Sequence, residues 1–151
     1  LLQQKRADNF VIVLQKRDDG AKRSLSNHQT LLAKLKTEFP LASFKVFNGH
    51  ESMLETAKLH YSADLIIAPH GAGVSNTIFT SLNASVIEIH PAHSNMGEHP
   101  NWCYRSLCSR LDRPYKPIIA DNGSAYSKPF KANVSAVIEE ARKFVPERYH
   151  A

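Results

Sequence analysis

The sequence predicts an α/β fold, a Rossmann-like parallel sheet with helices on both faces. Short apolar, β-branched runs recur along the chain, which is typical of strands that are buried on both faces of a sheet. Segments with helical periodicity separate these runs, so successive strands are joined by crossovers and lie parallel. A length of 151 residues and a hydrophobic content of 42% suffice for one packed domain. We therefore expect residues 1–151 to form a single domain.

The first half of the chain contains three predicted strands and two predicted helices. The strands are the apolar runs at 10–14, 43–47 and 64–68. The first helix begins near Ser26, which forms a capping-box pair with Gln29, while Asn27 is a rival cap. This helix ends before Pro40. The second helix, 52–61, is predicted to direct four side chains inward: Met53, Leu54, Ala57 and Tyr61.

The second half continues the alternation of strands and helices. After the third strand, a loop that contains glycine leads into a short helix, a strand and a further helix, at 74–81, 85–89 and 100–111. The run at 116–120 is predicted as an edge strand, because Pro117 cannot donate to a ladder. A turn-rich loop precedes the closing helix at 132–144. In such sheets ligands bind beyond the carboxyl ends of the strands, near the switch in strand order.

The charge of the chain indicates an anionic partner. Lysine and arginine number 19 against 14 acidic residues, which gives a net charge of +5 with histidine neutral. No nucleic-acid-binding motif accompanies this excess, so nucleic acid is not an expected partner. No apolar run is long enough for a membrane segment, and residues 1–9 do not resemble a signal peptide. The two cysteines, Cys103 and Cys108, cannot build a disulfide framework.

A glycine loop after the third strand is a candidate anion site. Gly71 and Gly73 flank Ala72, so the backbone can fold tightly and bring its N–H groups close to a ligand. The helix that follows adds its positive N-terminal end. Ser75 and Asn76 can cap that helix or donate to the ligand. A tight turn without a ligand explains the glycine pair equally well.

Other polar side chains follow neighbouring strand ends. His70 could donate to a phosphate, act as a general base, or merely bond to the loop backbone. Arg17 and Arg23 follow the first strand; guanidinium groups match phosphate oxygens, and a solvated basic loop is the alternative. Glu88 lies 17 residues after Gly71, close to the spacing at which an acid meets a ribose in dinucleotide sites. Pairing with an arginine is the other interpretation of Glu88.

Four segments in order resemble glycosyltransferase family 61. They are 11–17 (VIVLQKR) with 23–27 (RSLSN), 63–76 (ADLIIAPHGAGVSN), Phe79 with 86–91 (VIEIHP), and 104–115. The first three are similar to the family's R…R-x-I-x-N, AD-hydrophobic-HGAG-L-T-N and F…V-I-E-I-x-P patterns, and the fourth fits its aromatic stretch. Val74 and Ser75 stand where the family usually has leucine and threonine.

The resemblance implies a GT-B architecture of two Rossmann-like halves, of which this chain is similar to the C-terminal one. It implies an inverting transfer from a nucleotide sugar, a UDP-sugar being the expected donor, to a hydroxyl group of a glycan or protein. Arg17, Arg23 and Asn27 would line the diphosphate, the loop 70–73 would face the nucleotide, and Glu88 would lie by the ribose or the loop. The acceptor-binding N-terminal half would be a further partner. We expect a piece of a larger enzyme, located in the Golgi or ER lumen of a eukaryote or the cytoplasm of a bacterium.

Neither a metal nor a cofactor other than the donor substrate is expected, because arginines and a helix end can balance a diphosphate. A competing zinc pattern consists of His90, His93, Glu98 and His99, but it lacks a helical pair of ligands, and a surface histidine cluster is the preferred interpretation. His70 is the candidate base in this chain, although the base of GT-B enzymes usually comes from the other half.

Two other functional classes compete with a transferase. A non-catalytic Rossmann module that binds nucleotides or polyanions would use the same cations and the same loop. A dinucleotide oxidoreductase is disfavoured by Asn76, which stands where the third glycine of that fingerprint belongs. Glycosylation sequons at Asn83, Asn122 and Asn133 agree with a protein of the secretory pathway.

Overall fold

The computed structural model describes residues 9–93, 100–120 and 125–151. Five strands form one sheet: Val11–Gln15 (β1), Ser43–Phe47 (β2), Leu65–Pro69 (β3), Ser85–His90 (β4) and Tyr115–Ile119 (β5). Their order is β2-β1-β3-β4-β5, and every neighbouring pair is parallel. The predicted Rossmann-like parallel sheet is therefore confirmed. Pro117 lies in β5 at the edge of the sheet, as its missing N–H group predicts.

Helices alternate with these strands. The α-helices are His28–Glu38 (α1), Met53–Tyr61 (α2), Cys103–Arg110 (α3) and Val134–Phe144 (α4), and two 3-10 helices cover Ala72–Phe79 and Glu147–Tyr149. The helix predicted at 74–81 is thus a 3-10 helix that begins at Ala72. Hydroxyl groups within it donate to carbonyl groups three residues back, from Ser75 to Ala72 and from Thr77 to Val74. Such bonds compete with a regular α-helix and accompany tight, short turns.

The helices cover both faces of the sheet. Ile12 and Leu14 of β1 pack on one face in a cluster that includes residues of α1 and α4. Val13, between them, packs on the opposite face with Val74 of the 3-10 helix and Cys108 of α3. This division follows from the strand geometry, in which successive side chains point to opposite faces. No described helix has the length and apolar character that crossing a bilayer requires.

The predicted inward face of α2 is wrong. Met53 and Leu54 are 80% and 65% exposed, and Tyr61 is exposed as well. The buried residues of α2 are Thr56 and His60, since these side chains face the sheet. His60 can lie there because its ring nitrogens find hydrogen-bond partners, so burial of this polar group is not penalised.

The predicted cap of α1 is also wrong, and a capping box occurs elsewhere. Asn27 precedes α1 but makes no side-chain cap hydrogen bond. Its amide instead donates to the carbonyl of Ala132 and accepts from the N–H group of the same residue, both at 2.9 Å. A complete capping box begins α2, where Ser52 and Glu55 bond to each other's backbone.

The cysteines form no disulfide with each other. Cys103 is exposed and Cys108 is buried, and both are free thiols. Burial, followed by the negative charge of Glu88, raises the pKa of Cys108 to about 11. Cys108 is therefore an unreactive thiol of the core.

Candidate functional site

The carboxyl ends of β1 and β3 meet at the switch point of the sheet. From the end of β1 the chain crosses to β2, on one side, and from the end of β3 it crosses to β4, on the other side. The strand order therefore reverses between β1 and β3. A crevice of about 210 Å³ opens there, lined among others by Gln15, Arg17, Phe47, Pro69 and Gly73. Ligands of doubly wound sheets bind at this position.

The glycine loop presents free donors beside this crevice. Gly71 has φ 152° and ψ −179°, a conformation that is essentially restricted to glycine. In the described part of the chain, no group accepts a hydrogen bond from the backbone N–H of Gly71, Ala72 or Gly73. These N–H groups open the 3-10 helix, so they offer an anion both hydrogen bonds and a positive helix end.

Arg17 and Arg23 both reach Gly71. The guanidinium group of Arg17 occupies the space that a Cβ atom on Gly71 would need, and the guanidinium carbon of Arg23 lies 4.0 Å from the same point. The Nε of Arg17 donates to the carbonyl of Lys22 at 2.9 Å, which holds the side chain in place. Among the described residues, neither arginine pairs with a carboxylate. The loops therefore bring two cations to one glycine.

The environment of Arg23 is unfavourable for a cation. Its Nε is buried and has no hydrogen-bond partner among the described residues, while its guanidinium group lies 4.0 Å over the ring of Tyr126. Burial and the neighbouring charge of Arg17 lower the pKa of Arg23, and Tyr104 partly opposes them. Its backbone has φ 63°, a strained conformation for arginine. A hydrogen bond from its N–H to Lys128 helps to hold it.

His70 is held by a buried carboxylate. Nδ1 of His70 lies 2.6 Å from Oε1 of Glu88, which is fully buried. The O–H group of Tyr115 donates to the second oxygen at 2.6 Å, and Nε2 of His90 lies 3.3 Å from it. Burial raises the pKa of Glu88, but the hydrogen bonds from His70, His90 and Tyr115 outweigh it and keep this pKa below its ordinary value. The same burial and the charge of Glu88 raise the pKa of Tyr115.

This pairing decides the tautomer of His70. A carboxylate accepts hydrogen bonds, so Nδ1 of His70 carries the proton and Nε2 keeps a lone pair in the neutral ring. The ring stacks on that of His90 at 4.9 Å, and the rings of Tyr104 and Tyr126 flank it at 5.6 and 5.7 Å. Glu88 is fully buried and orients His70.

Among the described residues, His70, Glu88 and His90 could hold a metal ion, since their ligand atoms lie within 4.8 Å of one another. Two histidines and a glutamate suit zinc. Tetrahedral bonds of about 2.0 Å would separate two ligand atoms by about 3.3 Å, whereas Nδ1 of His70 and Oε1 of Glu88 are 2.6 Å apart. The three groups thus fit a hydrogen-bond network better than a metal site. Of the zinc pattern in the sequence, Glu98 and His99 lie outside the described residues.

The other predicted donor-site residues have different surroundings. Asn27 is engaged by Ala132, so its amide groups are already used. The Oγ of Ser75 donates to the carbonyl of Ala72 at 2.6 Å, and Asn76 is half-buried on the 3-10 helix. Arg17, Arg23 and the glycine loop thus lie together, whereas the amide of Asn27 holds the backbone of Ala132.

Sequence reasoning missed three contributors to the site: Gln15, Tyr115 as a partner of Glu88, and Tyr126 beneath Arg23. Gln15 ends β1 as a buried polar residue after an apolar run, and its Nε2 donates to the carbonyl of Gly73 at 3.0 Å. A polar residue at the carboxyl end of a central strand is a signal that could have pointed to it. Tyr115 ends the aromatic stretch 104–115, but nothing local marks it as a partner of Glu88, and no local pattern marks Tyr126.

Comparison with known proteins agrees with the fold and identifies the family. The crystal structure of esterase PE8 is similar with a TM-score of 0.50 and 10% identity, over 92% of this chain and 94% of that one. At this identity the likeness concerns the fold alone. No curated protein matches the chain significantly. The model of the family Glycosyltransferase 61 matches residues 2–87, more than half of the sequence. The chain therefore belongs to the glycosyltransferase 61 family.

Proposed function

We propose that this chain binds the donor of an inverting glycosyltransferase, which moves a sugar from a UDP-sugar to a hydroxyl group of a glycan or protein. One observation carries the proposal: Arg17 lies against Gly71, in the space that a side chain there would fill. Arg23 approaches the same glycine, so a diphosphate between these cations and the loop would balance their charge. Family membership supports glycosyl transfer as the reaction class.

The site suits the charge that develops during such a transfer. Departure of the nucleotide places negative charge on the diphosphate, and Arg17 and Arg23 would meet it with charge-assisted hydrogen bonds. The N–H groups of Gly71 and Ala72 would add their dipoles at the start of the 3-10 helix. Because these groups are in position before the donor arrives, they stabilise the transition state without reorganising. We expect the donor to bind without a metal.

An inverting transfer also needs a base for the acceptor hydroxyl. We propose His70 for this role, because its bond to Glu88 leaves Nε2 as the proton acceptor. Glu88 would then stabilise the imidazolium that forms, as the acid of a catalytic triad does. His70→Gln should lower kcat by about 100-fold or more while the donor KM changes little. An unchanged kcat would assign the base to the acceptor-binding half.

Calorimetry with UDP and a panel of UDP-sugars tests the donor site. Arg17→Ala and Arg23→Ala should each weaken binding by about 1.5–3 kcal/mol, the contribution of a charge-assisted hydrogen bond. Arg142→Ala is the matched control. Arg142 lies in the last turn of α4 and pairs with Glu38 at the end of α1, so it is not part of the glycine loop. Trp102, the single tryptophan, lies 5.2 Å from the ring of His90 and supplies an optical readout. Absence of heat and of any thermal shift with UDP and the sugars would remove the proposal.

The second candidate is a non-catalytic module that binds nucleotides or polyanions. One observation favours it: Arg17, Arg23 and the free N–H groups of the loop are anion-binding groups, which a module without catalysis would need as well. Assays of donor hydrolysis and of sugar transfer separate the two functions. Binding of UDP-sugars without turnover in the full enzyme would favour the module.

A further inference from the structure

A chain of buried hydrogen bonds connects α2 to the glycine loop. Nε2 of Gln15 lies 3.0 Å from Nε2 of His60 and 3.0 Å from the carbonyl oxygen of Gly73. His60 is fully buried and Gln15 is 4% exposed. The ring of Phe47 packs edge-on against His60 at 4.8 Å. We call the three residues His60, Gln15 and Gly73 the His60–Gln15 strut.

The strut requires a neutral imidazole. Nδ1 of His60 lies 2.8 Å from the carbonyl oxygen of Thr56, which can only accept, so Nδ1 carries the proton. Nε2 then has a lone pair and accepts from the amide of Gln15. The second hydrogen of that amide goes to Gly73, so both donors of Gln15 are used.

Protonation of His60 breaks this arrangement. The second N–H group of an imidazolium would face the NH₂ group of Gln15, donor against donor, in a buried site. Reversal of the Gln15 amide would instead place its oxygen against the carbonyl of Gly73. Either arrangement loses a hydrogen bond of the strut, so a charged His60 weakens the support that Gln15 gives to Gly73.

Burial leaves His60 neutral near pH 7. Burial lowers the pKa of His60 from its ordinary value of 6.5, against smaller opposing effects of the Thr56 carbonyl and of Glu51. Of the neighbours that pack on it, Gln15 of β1, Phe47 of β2 and Gly73 of the loop carry no charge, and Glu51 is the acid that acts on it. The neutral strut is thus present at neutral pH and is lost as the pH falls through this lowered pKa.

We propose that Gln15 and His60 are positioning residues, which hold the glycine loop in its binding conformation while His60 is neutral and release it on acidification. The effect on donor affinity rests on the proposed function, whereas the effect on the loop itself does not. The chemical class of the ligand is therefore the diphosphate of the donor, and the device regulates access to the same site.

Nuclear magnetic resonance tests the loop without a donor. In the wild-type protein, the amide signals of Gly71 and Gly73 should shift as the pH is lowered from 7.5 through the midpoint of the His60 ring, and with that same midpoint. In Gln15→Met, which has a similar length but no amide, the ring still titrates and the two glycine signals should stay in place. Glycine signals that follow His60 equally in both proteins, or in neither, would overturn the proposal.

Affinity for a UDP-sugar gives the second readout, because its diphosphate is a diester and takes up no proton in this range. Wild-type affinity should fall about two- to tenfold below its value at neutral pH, the worth of one neutral hydrogen bond. His60→Gln keeps an amide oxygen for Gln15 but cannot be protonated. Its affinity should therefore match the wild type at pH 7.5 and should not show this two- to tenfold fall on acidification. His70 is intact in both proteins, so the difference between the two curves isolates His60.

The two proposals fail in different ways. If no UDP-sugar binds at any pH, the donor proposal is wrong while the glycine signals still decide the strut. If the donor binds and His60→Gln retains the full acid loss of the wild type, the strut is wrong while the donor site stands. Should Gln15→Met not fold, His60→Gln alone decides both readouts.

Discussion

Gly71→Ala is the sharpest perturbation of the candidate donor site. The backbone of Gly71 lies at φ 152° and ψ −179°, where any other residue is strained by about 1–3 kcal/mol. The added methyl group also displaces the end of Arg17, which is flexible enough to move at small cost. Stability should therefore fall by the backbone term, about 2–12 °C in melting temperature for a chain of this size. Donor affinity should fall as well, because Arg17 leaves the loop.

The loss of affinity follows from the contact that Arg17 gives up. One charge-assisted hydrogen bond contributes about 1.5–3 kcal/mol, so UDP should bind roughly 10- to 150-fold more weakly. Calorimetry with UDP, at a temperature where the variant is folded, measures this change. Gly49→Ala is the control for stability, since Gly49 has φ 82° and open space around an added Cβ.

A double-mutant cycle decides whether Gly71 acts through Arg17. If it does, Gly71→Ala should weaken UDP binding far less in the Arg17→Ala background than in the wild type. Fully additive losses would refute the reasoning. The reasoning would also be refuted if Gly71→Ala lowered the melting temperature as expected but bound UDP with the affinity of the wild type.

Three further predictions concern stability, pH and metal. Asn27→Ala removes both hydrogen bonds to Ala132 and should destabilise the protein by about 1–3 kcal/mol. A melting temperature equal to that of the wild type would contradict this. Burial and the charge of Lys16 lower the pKa of His28, so the unfolded chain binds more protons below pH 6.5 and stability falls with acidification. Denaturant titrations at pH 7.5 and 5.5 measure this loss of unfolding free energy, which should be smaller in His28→Leu than in the wild type. His50→Gln is the control: the pKa of His50 is raised, so its removal should not reduce the loss. A chelator should leave UDP binding unchanged in calorimetry, and loss of binding that zinc or manganese restores would reverse our expectation of a metal-free site.

The fold and the meeting of two loops could be predicted from the sequence, because both follow from general rules of parallel sheets. Apolar runs such as 64–68 define the strands, and the carboxyl ends of parallel strands lie at one edge. The loops that carry Arg17 and Gly71 therefore had to be neighbours once β1 and β3 were adjacent. The adjacency itself is a property of the strand order, which no local pattern encodes.

Polar contacts between distant segments could not be predicted. Gln15 and His60 are 45 residues apart, and Glu88 and Tyr115 are 27 apart. Each pair forms because burial requires a partner for every polar group, and the sequence does not show which groups are buried together. The same reason explains the wrong prediction for α2, in which Met53 is expected to face inward but is exposed. His60, in the last turn of the same helix, is buried because Gln15 and Thr56 supply hydrogen-bond partners for its ring.

The hydrogen bonds that close the arginine loop have a consequence for folding. Ser24 and Ser26 pair with the backbone of Phe130, and Arg23 pairs with Lys128, more than 100 positions later in the chain. Contacts of such large sequence separation form late, because the entropy of closing the loop must be overcome first. During synthesis, a nascent chain that already displays both arginines and the glycine loop cannot yet hold Arg23 in its strained backbone conformation. The capacity to bind an anion at this edge should therefore arise abruptly, when the segment before α4 docks, and a chain shortened before residue 128 should carry the family's motifs without a formed site.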